Sequence, residues 1–221
     1  MTIWEGRCRP ALKGAIYAEE IAAAILDGRV CSVAYDPRLK VHAVWDLGWN
    51  DSMSIVMCQR LRSEIRIIDY IEDSHKTLDW YAAELAQRRY NWGFDWLPHD
   101  GNSKDFKTGK SAAEILKSFG RRVKITPNLP IEAGIKAGRL ALRQAAFDKA
   151  KAGRLVECLK RYRRSVNAQT SEPGAPVHDE YSHGADAWRY VSINADKMTN
   201  EDERQPAAMD VWSALDAEVG Y

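Results

Sequence analysis

The chain has 221 residues, of which 45% are hydrophobic and 29% are charged. This is the composition of a folded globular protein, so it excludes a chain that is mostly disordered or of low complexity. The 32 basic and 31 acidic residues give a net charge of +1, which excludes a polybasic or strongly acidic protein. The apolar runs are far shorter than the roughly 20 residues that cross a bilayer, and the first residues lack the apolar stretch of a signal peptide. We therefore expect a soluble intracellular protein.

Helix-like and strand-like patterns alternate along the chain. The spacing of apolar residues predicts a helix over 10–27, which closes on Gly28, and strands over 41–47, 53–59 and 64–71. The short polar connections between these strands favour an antiparallel meander. The pattern then predicts a helix at 77–90, a strand at 94–97, a helix at 111–119 and a strand at 123–126. Three helices follow, over 131–147, 152–164 and 182–195.

This order of elements predicts an α/β fold with a mixed five-stranded sheet flanked by helices. The first three strands are antiparallel, and the last two join parallel to the first strand through helical crossovers. The second and third strands lie on one side of the first strand, and the fourth lies on the other side. The strand order therefore reverses at the first strand, and a ligand is expected beside the carboxyl ends of the first and fourth strands.

Three aspartates are expected to meet at that point. Asp46 closes the first predicted strand, Asp100 follows the fourth, and Asp186 lies near the start of the last helix, on the same face as His183 and Tyr190. Carboxylates that lie close together repel unless a cation lies between them. Hard divalent ions prefer oxygen ligands, so Mg²⁺ or Mn²⁺ is the expected occupant.

Other interpretations of these residues remain open. An aspartate at the end of a strand is usually a turn former or a cap, and Asp51 and Asp179 share this ambiguity. His99 and His183 are equally consistent with hydrogen-bonded core residues. The segment 108–111 resembles the end of a phosphate-binding loop, but Lys104 occupies the position that such a loop needs as glycine. The four cysteines are widely spaced, which indicates reduced thiols and not a zinc site.

Charge is unevenly distributed along the sequence. Residues 121–164 contain 13 basic and three acidic residues, a net charge of +10. A basic segment is usually a solvated surface, but a charge of this size is also consistent with a surface that binds a polyanion. The candidate contacts are Arg139, Arg143, Arg161, Arg163 and Arg164. Residues 196–221 carry a net charge of −5, so we expect a folded domain over 1–195 and a weakly structured acidic tail over 196–221, with a short helix at 209–215.

Several of these strings resemble the C-terminal nuclease domain of the large terminase subunit of tailed bacteriophages. They are Asp46-Leu47-Gly48-Trp49-Asn50-Asp51, Leu97-Pro98-His99-Asp100, Gly109-Lys110-Ser111 and His178-Asp179-x-x-Ser182-His183-x-x-Asp186-Ala187-x-Arg189-Tyr190. The resemblance extends over about residues 13–194. It implies a ribonuclease-H-like fold and a two-metal endonuclease that cuts concatemeric viral DNA during genome packaging.

Carried over position by position, the resemblance makes Asp46, Asp100 and Asp186 the catalytic metal ligands for two Mg²⁺ or Mn²⁺ ions. Asp51 and Asp179 are additional candidates, and His99 and His183 are expected to support the ligands. The implied partners are double-stranded DNA, the portal protein and the small terminase subunit in the host cytoplasm. The packaging ATPase domain of the family is missing from this sequence, which has no Walker A loop.

Two rival functions are consistent with the sequence. Another ribonuclease-H-like nuclease, of the resolvase or transposase type, would share the three acids but would act on a different DNA. A non-catalytic DNA-binding packaging module would use the basic surface alone, and it would show no metal-dependent cutting.

Overall fold

The computed structural model describes residues 13–48, 52–106, 108–167 and 169–201. The helices in these ranges are α1 (Ala18–Leu26), α2 (Leu78–Gln87), α3 (Ala112–Ser118), α4 (Ile131–Leu142), α5 (Gly153–Arg161) and α6 (Ser182–Asn194). The strands are β1 (Val30–Cys31), β2 (Val41–Asp46), β3 (Met53–Arg60), β4 (Ile65–Asp73), β5 (Trp92–Leu97), β6 (Val123–Ile125), β7 (Ala145–Asp148), β8 (Arg164–Val166) and β9 (Pro173–Pro176). Short 3₁₀ turns lie at His99–Asn102 and Ala195–Lys197.

Seven strands form one mixed sheet in the order β1-β7-β4-β3-β2-β5-β6. The strands β2, β3 and β4 are antiparallel neighbours, and β5 and β6 extend the sheet in parallel on the other side of β2. The predicted meander, both crossovers and the reversal of strand order at β2 are therefore confirmed. The predicted strand number of five is too low, because β7 and β1 add two parallel strands beyond β4.

The missed strand β7 overlaps the end of the helix predicted over 131–147. The helix α4 ends at Leu142, and the next residues turn back into the sheet. All four residues of β7 are buried between β4 and β1. A short apolar run that is buried on both faces has no alternating pattern, so periodicity alone does not distinguish it from the end of a buried helix. The helix predicted to reach residue 164 likewise ends at Arg161, because Arg164 pairs with Pro176 in the β8–β9 hairpin.

Helices cover both faces of the sheet, as the continuous burial of β2 and β3 requires. One face packs against α1, α4, α5 and α6 around side chains such as Val44, Phe147 and Trp188. The other face packs against α2 and α3 around Trp45, Tyr81 and other apolar side chains. The backbone of β2 is thereby held rigidly from both sides, which fixes the position of its last residue.

The last described residues extend the folded domain slightly beyond residue 195. Met198 is buried, and the carbonyl oxygen of Thr199 lies 3.1 Å from Nε2 of His42. Residues 202–221, including the helix predicted over 209–215, lie outside the described residues, as does Asp51. No helix in the described part of the chain is long and apolar enough to cross a membrane.

Candidate active site

Three elements converge at the carboxyl ends of β2 and β5. Asp46 is the last residue of β2, and β5, its parallel neighbour, ends at Leu97. The chain then enters the 3₁₀ turn that carries Asp100, which is exposed. The helix α6 packs across β2 and β3 and carries Asp186 in its second turn. Asp46 and Asp100 therefore lie at one edge of the sheet, and Asp186 lies near enough to Asp46 for its charge to act on it.

Asp46 is a poorly solvated carboxylate that contacts a histidine. Its side chain is 15% exposed, and its Oδ2 lies 3.3 Å from Nδ1 of His183. The pKa of Asp46 is raised to about 6, mainly by burial and also by the negative charge of Asp186, while His183 acts in the opposite direction. An additional positive charge at this position would stabilise the ionised form.

Asp186 is held by an arginine one turn further along α6. Nε and Nη2 of Arg189 lie 2.9 and 2.8 Å from Oδ1 of Asp186, and the arginine side chain is only 8% exposed. An arginine at i+3 on a helix lies on the same face as the acid. The guanidinium thus fixes the direction of the Asp186 carboxylate.

Tyr190 connects the three acids electrostatically. The pKa of this tyrosine is raised to about 12, mainly by burial and also by the charges of Asp46, Asp186 and Asp100, while Arg189 acts in the opposite direction. Tyr190 lies on the face of α6 that also carries Asp186 and His183, as the helical spacing predicts.

The donor chemistry of this region suits a hard divalent cation, because carboxylate oxygens are the ligands that Mg²⁺ and Mn²⁺ prefer. The disfavoured charge of the buried Asp46 also fits such an ion. Within the described residues, however, no three His, Cys, Asp or Glu side chains are grouped closely enough to hold one metal. Asp186 is instead turned to Arg189, and Asp46 to His183. The residues therefore fit a metal in their chemistry, and the ligand set itself stays a prediction.

The other predicted site residues occupy different positions. His183 is buried beside Asp46, and its ring lies 5.0 Å from that of His178. His99 is exposed at the start of the 3₁₀ turn. Asp179 accepts a hydrogen bond from the backbone N–H of Tyr181 (3.0 Å) and pairs with an arginine, so it shapes the turn before α6.

The arginines predicted to bind DNA lie on α4, on α5 and in the segment that follows α5. Arg143 is exposed at the end of α4, and the other four pair with acids. These pairs are Arg139 with Glu20 (3.5 Å), Arg161 with Glu157, Arg163 with Asp179 (3.6 Å) and Arg164 with Glu132 (2.6 Å). Residues 121–164 are also divided among β6, α4, β7, α5 and β8, from one edge of the sheet almost to the other. The net charge of +10 is therefore spread over several elements, and most of the predicted DNA contacts have an acidic partner in the fold.

Sequence reasoning missed a polar row that extends from Asp46 across the sheet. Ser54 is opposite Asp46, and Glu72 is opposite Ser54. Glu72 accepts two hydrogen bonds of 2.9 Å from Arg154, and a third of 2.9 Å from the hydroxyl of Tyr70. Glu72 lies near the end of a strand, as Asp46 does, so the same criterion could have found it. Arg189 was missed as the partner of Asp186, although its i+3 spacing was a signal.

The mixed sheet, with β3 alone running against its neighbours and helices on both faces, has the ribonuclease-H-like fold. Solved structures with this fold are similar to most of the chain. A large terminase from a thermophilic bacteriophage matches 85% of this chain at 16% identity, with a TM-score of 0.63. The nuclease domain of the P22 large terminase matches 77% of this chain and 88% of its own length at 15% identity, with a TM-score of 0.60.

A third structure similar to this chain contains a metal ion. The large terminase nuclease of the thermophilic phage G20c, solved with bound magnesium, matches 81% of this chain and 98% of its own length at 15% identity, with a TM-score of 0.54. The chain spans about half the length of the first of these three terminases, of which it covers 46%. No protein-family model matches the sequence, and no curated protein sequence matches it. At these identities the likeness establishes the fold.

Proposed function

We propose that this domain is a metal-dependent DNA endonuclease that cleaves concatemeric viral DNA during genome packaging. The observation that carries the proposal is the position of Asp46 and Asp100 after two neighbouring parallel strands, where the strand order of the sheet reverses, with Asp186 on the helix that packs across β2 and β3. The likeness of the fold to large terminase nuclease domains supports the same chemistry.

In this proposal, Asp46, Asp100 and Asp186 hold two Mg²⁺ or Mn²⁺ ions. Bound ions of this kind supply an activated water for in-line attack on a phosphodiester and stabilise the charge on the leaving oxygen. The chain's own contribution is to position the ligands. His183 orients Asp46, and Arg189 keeps the Asp186 carboxylate directed along α6 until a stronger cation competes for it. Asp51 and Asp179 remain candidates for an additional ligand.

The substrate is proposed to be double-stranded DNA, and the place of action the host cytoplasm. Arg139, Arg143, Arg161, Arg163 and Arg164 remain candidate phosphate contacts, although four of them must exchange an acidic partner for DNA. By analogy with the longer thermophilic-phage terminase, the domain is proposed to act with a packaging ATPase domain, a portal protein and a small terminase subunit.

Incubation of the purified chain with supercoiled plasmid, in Mg²⁺ or Mn²⁺, tests the proposal. We expect nicked and then linear plasmid, and no cleavage with a chelator. A branched DNA junction is the second substrate, since a resolvase would cut the junction much faster than the plasmid. Binding to DNA without cleavage in either metal would contradict the proposal and favour a non-catalytic packaging module.

A further inference from the structure

A structured loop lies directly after the 3₁₀ turn that carries Asp100. It consists of residues 103–106 and 108–111, with Lys104 and Ser111 paired in an antiparallel bridge at its base. The backbone N–H of Asp105 donates to the carbonyl oxygen of Lys110 (3.0 Å), and that of Gly109 donates to the carbonyl oxygen of Asp105 (2.8 Å). Gly109 has φ +67°, which suits glycine in such a tight return.

Side chains also hold this loop in place. Ser111 and Glu114 form a capping box at the start of α3, with bonds of 3.1 and 2.8 Å between each side chain and the other's backbone N–H. Asp105 accepts two bonds from Thr108, one from the backbone N–H (2.9 Å) and one from the hydroxyl (3.1 Å). The carboxylate of Asp105 is thus directed into the loop, and the loop has a defined shape.

Phe106 projects from this loop and is fully exposed, at 101% of its reference area. Burying a phenylalanine side chain stabilises a fold, and the exposed Phe106 contributes none of this stabilisation to the domain. A single exposed apolar residue is not unusual on a protein surface. The position of Phe106 and the charges around it are what distinguish it.

The same loop forms one wall of a cleft of about 940 Å³ that Asp100 also lines. Three lysines line the cleft, namely Lys76, Lys104 and Lys110, above a floor that includes Leu47, Met53 and Ile115. The acids Asp79 and Asp105 line it too, but both are hydrogen-bonded within their own turns. The cleft therefore combines cations, an apolar floor and a candidate catalytic carboxylate.

We propose that Phe106 is a wedge that enters duplex DNA beside the phosphodiester held at Asp100, while Lys104 and Lys110 contact the backbone. This inference rests on the proposed function. Apolar side chains that enter between base steps unstack and kink the duplex. Because the Asp46 side chain is only 15% exposed, a kinked backbone reaches it more easily than a straight one. Lys104 and Lys110 in the same loop favour DNA over an apolar protein surface as the partner.

The test compares Phe106→Ala with the wild-type chain on a plasmid and on short duplexes in Mg²⁺. Because base–aromatic stacking contributes substantially to binding, we expect the cleavage rate and the duplex affinity of Phe106→Ala to fall at least about fivefold. Phe106→Trp retains the wedge and should retain most of the activity. The matched control is Leu26→Ala, which removes another exposed apolar side chain (87% exposed) from α1 and should cut like wild type.

A duplex with a mismatch at the cleavage point separates a wedge from a general contact. A mismatched base pair is already partly unstacked, so the deficit of Phe106→Ala should shrink on it. A matched duplex that carries 2-aminopurine at the cleavage point reports unstacking directly, as a rise in fluorescence. In Ca²⁺ in place of Mg²⁺, wild type should cause this rise and Phe106→Ala should not. A Phe106→Ala variant that cuts and binds all these DNAs like wild type overturns the wedge, and leaves Phe106 as a contact for a protein. A wild-type chain that cuts no DNA contradicts the proposed function as well.

Discussion

Asp46 and Asp148 occupy equivalent positions in the sheet, yet their surroundings differ. Each is the last residue of a strand, and β2 and β7 run in the same direction. Asp148 accepts hydrogen bonds from the backbone N–H groups of Val33 (2.9 Å), Ala150 (3.0 Å) and Lys151 (2.8 Å). Asp46 has a side-chain contact of 3.3 Å with His183.

The two carboxylates consequently differ in how strongly the folded protein favours their ionised form, and so in the direction of their pKa shifts. Burial acts to raise the pKa of both, but the three N–H groups outweigh it at Asp148, whose pKa is lowered. At Asp46 burial prevails, and the pKa rises to about 6. A strand-terminal aspartate with its hydrogen bonds satisfied is a structural cap, whereas one that is buried without enough donors is a candidate ligand for a cation.

A third buried aspartate gives the largest expected effect on stability. Asp95, 1% exposed in β5, accepts bonds of 2.8 and 3.0 Å from Arg121 and of 2.9 Å from Trp45. Replacing Arg121 by Met leaves this carboxylate buried without its counter-charge, which should lower the free energy of unfolding by about 3–5 kcal/mol. Urea titration measures the change.

Arg121→Lys is the control, because it keeps the charge and loses the paired geometry, and it should cost less than Met. Two results would contradict this prediction: equal destabilisation by the Lys and Met variants, or a decrease of less than about 1 kcal/mol in the free energy of unfolding for Met. Either would show that the buried Asp95 carboxylate does not depend on its paired arginine.

His42, near the other end of β2, extends the comparison to a buried base. Its Nδ1 accepts the backbone N–H of Phe94 (3.1 Å), and its Nε2 donates to the carbonyl oxygen of Thr199 (3.1 Å). The pKa of His42 is lowered to about 4, mainly by burial and also by the nearby cations Lys124, Arg122 and Lys40, against the opposing effect of the hydrogen bond to Thr199. The unfolded chain therefore binds the proton first as the pH falls below about 6.5.

Stability should accordingly be constant above about pH 6.5 and should fall by roughly 3 kcal/mol from this residue as the pH drops to about 4. Urea titrations at about pH 7 and pH 5 measure the slope. His42→Gln should flatten it, whereas the control His75→Gln, which changes an exposed histidine, should not. An unchanged slope in His42→Gln would assign the pH dependence to other groups.

Neutralising the two strand-terminal aspartates should have opposite effects on the metal-free protein. Asp46→Asn removes a charge that the folded state disfavours at neutral pH, because the folded pKa is above the ordinary value. The gain should be about 1–2 kcal/mol. Asp148→Asn weakens bonds to three N–H groups and should cost about 1–3 kcal/mol. Melting curves of the two variants at mildly alkaline pH, with a chelator present, measure these changes. Equal destabilisation by both substitutions would contradict the distinction between Asp46 as a candidate metal ligand and Asp148 as a structural cap.

The sequence predicted the parts of the fold that have a clear pattern. The meander of β2, β3 and β4 is marked by short polar turns between apolar runs, and the crossovers to β5 and β6 contain amphipathic helices. The strands β1 and β7 were not predicted, because neither shows a periodic pattern. The strand β1 has only two residues, and all four residues of β7 are buried. At the site, Asp46 and Asp148 look alike in sequence. They are distinguished by contacts that their own positions do not reveal, among them the backbone N–H of Val33, 115 residues away from Asp148 along the chain, and the ring of His183 beside Asp46.

The cleavage of supercoiled plasmid by wild type, Asp46→Asn and Asp148→Asn, side by side in Mg²⁺, tests the central claim most directly. Asp46 is proposed to hold a catalytic ion, and its neutralisation should reduce the rate at least about a hundredfold while the domain stays folded. Asp148→Asn should cut at a rate close to that of wild type. Cleavage by Asp46→Asn at the wild-type rate, or an equal loss in both variants, would contradict the account.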